Sequence, residues 1–248
     1  MILLTSLCVS FGTMLLAWFI YLKIKNPALI DIFWGLNICV IGMIHLSQCD
    51  TNVLTLTALT LLMAWSARLS FFLFFTRCFK GKVDLRYEAM ANDWKNKAIG
   101  FLGQYLFQGL LAWVIALPFF TLKFVHQVNL VTFLSVIFIL IGLAGETIAD
   151  FQLLTHKNSG NKSVLQQGLW QYSRHPNYFF ECLIWFGFSL MGASIGLGML
   201  SFLSILTLFC IMWFITIPLT EAQSLKRRPS YKAYICSTSC FIPWRSRA

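Results

Sequence analysis

The sequence predicts an all-α polytopic membrane protein with seven transmembrane helices, its N-terminus outside and its C-terminus cytoplasmic. Three observations carry this. Of 248 residues, 58% are hydrophobic and 11% are charged, whereas a soluble domain devotes about a quarter of its residues to charge. Mean hydropathy is +0.73. The apolar residues also come in unbroken runs and not in the alternation of a transmembrane barrel. Helices are the remaining solution, because lipid offers backbone polar groups no partners and each helix satisfies its own. A soluble globular domain, a disordered chain, a coiled coil and a secreted disulfide scaffold are all excluded by the same composition.

Runs of about 20 apolar residues lie at 2–22, 28–47, 53–75, 99–122, 129–150, 177–193 and 196–219. The first lacks a basic leader and a small-residue cleavage site, so it reads as a retained helix and not a signal peptide. The second carries Asp31 about one turn from its cytoplasmic end, and the third carries Arg68 about two turns from its own. A fifth run closes on Asp150 with Glu146 one turn deeper on the same face, and the sixth opens at Pro176 and carries Glu181. Of the nineteen Lys and Arg residues, all but Lys123 and Arg68 fall in segments on one side: after the first run, in the excursions 76–98 and 151–176, and in the tail from 220. Basic residues stay cytoplasmic during insertion, and this sets the orientation.

No internal repeat or low-complexity tract interrupts the chain. It reads as a single membrane domain, 1–248, in which 1–98 form a catalytic or substrate part and 99–248 a cofactor-binding part. Eight cysteines, at 8, 39, 49, 78, 182, 210, 236 and 240, have no metal or disulfide spacing, so no metal site is expected. The tail mixes basic residues with Tyr231, Tyr234, Phe241 and Trp244 and is expected to pack and not to dangle. The net charge of +10 is the topogenic signal plus attraction to anionic lipid. Its spread over several loops argues against a nucleic-acid partner.

Ionisable groups inside apolar spans are costly and usually face a cavity or a partner. Asp31, Arg68, Glu146, Asp150 and Glu181 all lie in the cytoplasmic halves of their runs, which describes a polar chamber open to the cytosol. The competing readings are an Asp31–Arg68 ion pair that only fixes packing and a solvated helix end at Asp150. The stretch Gly168-Leu169-Trp170-Gln171-Tyr172-Ser173-Arg174-His175-Pro176-Asn177-Tyr178 leads to Glu181. Pro176 suits a first helical turn, so free amides, a positive helix end, Arg174 and His175 converge there as an anion site. Arg227, Arg228 and Tyr231 of the tail would clamp a phosphate-rich ligand against it. The alternative leaves Arg174 and His175 snorkelling to lipid phosphates.

With Glu221, Arg228-Pro229-Ser230-Tyr231, Tyr234 and Phe241-Ile242-Pro243-Trp244, that stretch resembles the steroid 5-alpha-reductase superfamily, most of all its bacterial membrane branch. The resemblance extends upstream to Asn26-Pro27, Asp31, Phe33-Trp34-Gly35, Trp65, Arg68, Asp84, Arg86-Tyr87 and Gly145-Glu146 with Asp150. It implies a seven-helix enzyme of the bacterial plasma membrane. Such an enzyme takes NADPH from the cytosol and reduces a carbon-carbon double bond conjugated to a carbonyl in a lipophilic substrate. Cofactor contacts implied by the resemblance fall on Glu146, Asp150, Lys157, Arg174, His175, Asn177, Tyr178, Arg227, Arg228 and Tyr231. Glu146 stands where the steroid reductases carry Asn, Lys157 where they carry Arg, and Trp65 where they carry the Tyr of the carbonyl-polarising pair. Trp65 cannot supply a phenol proton, and Tyr87 is the substitute donor. Asp31 would then polarise the carbonyl with Arg68 orienting it.

Isoprenylcysteine carboxyl methyltransferases share the Arg-His-Pro segment and the Tyr-x-x-Tyr tail while binding S-adenosylmethionine, and sterol-ring reductases share it too. A methyltransferase is therefore the second expectation, and a lipid-binding membrane protein without catalysis the third. No Gly-x-Gly-x-x-Gly occurs, so a nucleotide must be held by helices and loops and not by a Rossmann domain.

Overall fold

The structure, a computed structural model, describes residues 1–78, 87, 90–92, 94–125, 128–161, 163–193 and 196–245. Among these the chain is helical without strands. Six helical stretches are long and apolar enough to cross a membrane: Ile2–Ile24, Leu29–Leu46, Val53–Arg77, Lys97–Phe124, Leu130–Asn158 and Gly196–Arg227. The expected sixth span folds as a helix of only 16 residues, Pro176–Met191. At a rise of ~1.5 Å per residue it is shorter than the ~30 Å hydrocarbon core, so among the described residues the long apolar spans number six and not the seven expected.

Contacts cluster into two units, Met1–Val128 with Gly192–Ser204, and Asn129–Met191 with Ile205–Ala248. In the first, α1 (Ile2–Ile24) packs on α2 (Leu29–Leu46) and α4 (Lys97–Ile115), and α2 also packs on α3 (Val53–Leu73). Asparagine caps open two of these helices. Asn52 accepts from the Thr55 amide at 2.9 Å, and Asn96 accepts from the amides of Ala98 and Ile99, so each satisfies donors that the first turn leaves without a partner. Pro118 cannot donate to the preceding turn. The expected run 99–122 accordingly divides into α4 and a short α5 (Leu117–Thr121), which ends in a 3-10 turn. In the core a polar relay ties three helices together, since Asn37 donates to Ser10 Oγ at 2.8 Å and Ser10 donates to the Gly109 carbonyl at 2.7 Å.

The second unit is built on α6 (Leu130–Asn158) and α7 (Pro176–Met191). Asn129 and Thr132 form a reciprocal capping box at the start of α6. These two helices approach closely because glycines face backbone. A Cβ on Gly142 would stand 2.9 Å from the Phe180 carbonyl oxygen, and one on Gly187 2.8 Å from that of Ser135. Small residues at such crossings are the usual means of close helix contact in membranes. Beyond α8 (Phe202–Ile211) the chain passes through a π turn, Met212–Thr216, into α9 (Ile217–Arg227) and then α10 (Tyr231–Ser237).

Two helices outrun their apolar stretches. α6 continues to Asn158, so Asp150 is not a solvated helix end but a buried position two turns inside the helix. α9 continues to Arg227, which puts Glu221 on a helix.

Candidate functional site

In the first unit the site is built on the start of α2. Asp31 is in its first turn. One carboxylate oxygen accepts from the Tyr87 phenol at 2.5 Å, and the other is paired with the Arg77 guanidinium. The expected acid and its substitute phenol donor are thus brought together. Arg77 was counted from the sequence only as a topogenic charge. It reaches Asp31 because α3 runs on through a π turn, Phe74–Cys78, past the end of its apolar run. Arg68, the expected orienting residue, has its guanidinium carbon 5.6 Å from the centre of the Phe72 ring, and Arg77 makes an ion pair with Asp31. Trp65 is fully buried, with its ring edge-on to Trp34 at 6.3 Å. Asp84 and Arg86 lie outside the described residues.

In the second unit, the loop before α7 and the tail fold into one module. Arg174 is 8% exposed. Its Nε donates to Glu221 at 2.7 Å, its Nη1 donates to the carbonyls of Thr238 at 2.6 Å and Ile235 at 3.1 Å, and its amide donates to the Ser239 carbonyl at 2.8 Å. His175 Nε2 lies 3.1 Å from the same Glu221 oxygen, and its ring stacks on Tyr178 at 5.2 Å. Burial works against the Arg174 charge, but the Glu221 carboxylate more than restores it and holds the guanidinium above its usual range. Ser173 donates to the Phe241 carbonyl at 2.7 Å and accepts from the His175 amide at 3.1 Å. The buried Tyr234 phenol donates to the carbonyls of Trp170 and Ser173, and the Trp244 amide donates to the Tyr172 carbonyl at 2.9 Å.

Several of the groups expected to form an anion site at Pro176 have partners within the chain. The amides of Arg174 and His175 and two arms of the Arg174 guanidinium are spent on the chain's own oxygens. A guanidinium serves carboxylate, carbonyl and phosphate equally well, so residue type alone could not tell these partners apart. Glu221, the partner of both Arg174 and His175, went unassigned in the sequence. Its only signal was its place in the quoted tail pattern.

Glu146, Asp150 and Glu181 are each 5% exposed. Asp150 accepts from Asn177 Nδ2 at 3.2 Å, and Glu181 accepts from the Trp185 indole at 2.9 Å. Lys157 in the last turn of α6 and Arg227 at the end of α9 are exposed, Arg228 is half-buried and Tyr231 is buried. Burial pushes the Tyr231 phenol up, with Glu221 adding to the shift and Arg174 opposing it.

Every residue expected to touch a nucleotide cofactor belongs to this second unit. The donor set suits one. Exposed Lys157 and Arg227 with Arg228 supply cations for phosphates, and the buried Asn177 Oδ1 has no hydrogen-bond partner among the described residues, which leaves an acceptor for an amide or a ribose hydroxyl.

No match to the chain was found among curated proteins or among solved structures. Residues 17–238, which include the Asp31 cluster and nearly all of the loop and tail module, match the family described as protein of unknown function, DUF1295. The chain belongs to that family.

Proposed function

We propose that this protein is a membrane-embedded, NADPH-dependent reductase of the steroid 5-alpha-reductase type. Its substrate is a lipophilic compound with a carbon-carbon double bond conjugated to a carbonyl. The observation that carries the reading is the contact of the Tyr87 phenol with Asp31 at 2.5 Å, braced by Arg77. A carboxylate and a phenol held together near a helix start are what carbonyl polarisation needs. When bound, NADPH supplies a hydride to the β carbon. The double-bond electron pair then moves toward the carbonyl oxygen, Tyr87 donates a proton there, and Asp31 orients the phenol while Arg77 fixes the carboxylate. The enol then returns its O–H proton to the Tyr87 oxygen while the α carbon takes up a proton from water, which leaves a saturated carbonyl and restores the phenol. Lys157, Arg227 and Arg228 would hold the phosphates, and Asn177 would accept from the amide or a ribose, while Arg174 locks loop to tail.

The topology proposed with this activity is N-terminus outside and C-terminus cytoplasmic, in a bacterial plasma membrane, with α7 as a short seventh crossing. The one-sided distribution of the Lys and Arg residues supports it. Apolar side chains exposed along the helices, among them Phe71, Phe133 and Leu206, are suited to lipid, from which the substrate would enter.

A second reading is favoured by the three buried carboxylates Glu146, Asp150 and Glu181, which suit the sulfonium of S-adenosylmethionine better than a run of phosphates. Thermal unfolding of the protein in nanodiscs separates the readings. Saturable protection by NADPH supports the reductase and protection by S-adenosylmethionine supports the methyltransferase. Protection by neither leaves a lipid-binding protein.

A further inference from the structure

A cavity of about 340 Å³ in the loop and tail module is lined by Arg174 and by the end of α10 with the residues after it, among them Thr238, Ser239, Cys240, Trp244 and Arg245. That volume is at the small end of ligand pockets and suits a headgroup better than a dinucleotide. Among the described residues the lining holds two guanidinium groups and no carboxylate. Arg174 spends Nε on Glu221 and Nη1 on two carbonyls. This leaves Nη2, on a residue only 8% exposed, without an acceptor among the described residues. Arg245 is exposed and Ser239 is half-buried, and neither side chain has a hydrogen-bond or ionic partner among the described residues. A charged donor that is mostly removed from water and one arm short of satisfaction favours an anion.

The same segment lies against an apolar helix. Phe241 packs edge-on against Phe209 of α8 and Trp213 of the π turn, with ring centroids 5.6 and 6.2 Å apart, and both partners belong to the long apolar stretch Gly196–Arg227. Beyond Phe241, Ile242 and Trp244 are 61% and 72% exposed. An exposed tryptophan next to an arginine suits the headgroup level of a bilayer, where the ring meets the acyl boundary and the cation meets anionic lipid. We propose that this cavity is a phosphate site and that its occupant is the headgroup of an anionic membrane lipid. Arg174 Nη2, the Ser239 hydroxyl and Arg245 hold the phosphate oxygens, and Trp244 sits in the acyl boundary. The site does not depend on the reductase reading, whose phosphate residues, Lys157, Arg227 and Arg228, are not among those that line it.

The test counts bound lipid by native mass spectrometry on the full chain, released from detergent micelles and titrated with dioleoylphosphatidylglycerol or dioleoylphosphatidylcholine. Wild type is expected to bind the first phosphatidylglycerol about tenfold more tightly than phosphatidylcholine, the worth of one charge-assisted hydrogen bond. Arg245→Gln is expected to erase most of that preference and Ser239→Ala to reduce it severalfold. Lys232→Gln, which removes an exposed charge of α10 outside the cavity, is expected to keep it. Ser239→Ala changes no charge, so its effect cannot come from general attraction to anionic lipid. A preference lost equally in Lys232→Gln and Arg245→Gln, or kept in both cavity variants, would overturn the proposal. Displacement of phosphatidylglycerol by sn-glycerol 3-phosphate at equal concentration would make this a site for soluble phosphate and overturn the lipid assignment. Displacement by NADPH would overturn it in favour of the cofactor.

Discussion

Tyr87 donates its phenol proton to Oδ1 of Asp31 at 2.5 Å, while Arg77 occupies the other carboxylate oxygen. The three residues come from a helix start, a helix end and the connection between α3 and α4. The carboxylate is held from one side by charge, and the phenol is left on the other as the mobile donor. Tyr87→Phe removes only the hydroxyl. It is expected to lower NADPH-dependent turnover by about a hundredfold, the smaller end of general acid effects, with cofactor affinity unchanged. Full turnover in that variant would take the phenol out of the chemistry.

Arg77→Gln removes the ion pair that Arg77 makes with Asp31. Because both side chains are partly exposed, at 31% and 24%, the stability cost is expected to be modest, on the order of 1 kcal/mol. The larger effect should be on catalysis, where an unbraced carboxylate no longer fixes the phenol. Comparing turnover with the unfolding midpoint in the same preparation separates the two. A loss of midpoint with full turnover would make Arg77 purely structural.

Arg174→Ala tests whether that guanidinium is a strut or a phosphate ligand. Three donations, to Glu221, Thr238 and Ile235, disappear together, and bonds involving a charged group contribute ~1.5–3 kcal/mol each before non-additivity. The unliganded protein should therefore unfold several degrees earlier, and Arg174→Lys should not rescue it, because one ammonium cannot reproduce the fork. An unliganded midpoint equal to wild type, with NADPH protection alone reduced, would return Arg174 to phosphate binding.

The spans were legible in the sequence because hydropathy reports where lipid is. It does not report where a helix stops. α6 and α9 continue in polar residues to Asn158 and Arg227, and α3 winds on to Cys78. The residues placed on those extensions, Glu221 and Arg77, were the ones left unassigned. Asp31 could be named from residue type, since an acid in an apolar run has few ordinary uses, whereas Tyr87 was named through the family resemblance, as the phenol standing in for Trp65. Their contact could not be read, because the two residues are 56 positions apart and no sequence pattern links them. Nor could the division at Asn129, where a capping box and not a change of composition opens the second unit.

The approach of α6 to α7 is a further point of test. A side chain on Gly142 would meet Ile184 Cγ1 at 2.5 Å and the Phe180 carbonyl oxygen at 2.9 Å, and backbone cannot give way as a side chain can. Gly142→Val is expected to cost ~1–3 kcal/mol by overpacking and to reduce NADPH protection, since Asp150 on α6 and Asn177 on α7 would be forced apart. Gly103→Ala, where nothing lies within 4 Å, is the matched control in the first unit. Equal midpoints for the two variants would mean that α6 and α7 are not held at this distance.

Alkaline pH should open the loop and tail module from the Tyr234 end. Burial pushes the Tyr234 phenol well above its usual range, with the neighbouring Tyr231 adding to the shift, and the neutral hydroxyl donates to Trp170 and Ser173 carbonyls. A phenol raised in the folded state contributes stability that is complete below the unfolded value of about 10. That stability is lost as pH rises toward the higher folded value, because the unfolded chain gives up its proton first. Thermal midpoints followed by tryptophan fluorescence should therefore be flat through neutral pH and fall above about pH 10. Tyr234→Phe should start from a lower midpoint, having lost both donations, and decline less steeply above that pH. Parallel curves for the two proteins would place the alkaline loss on other groups.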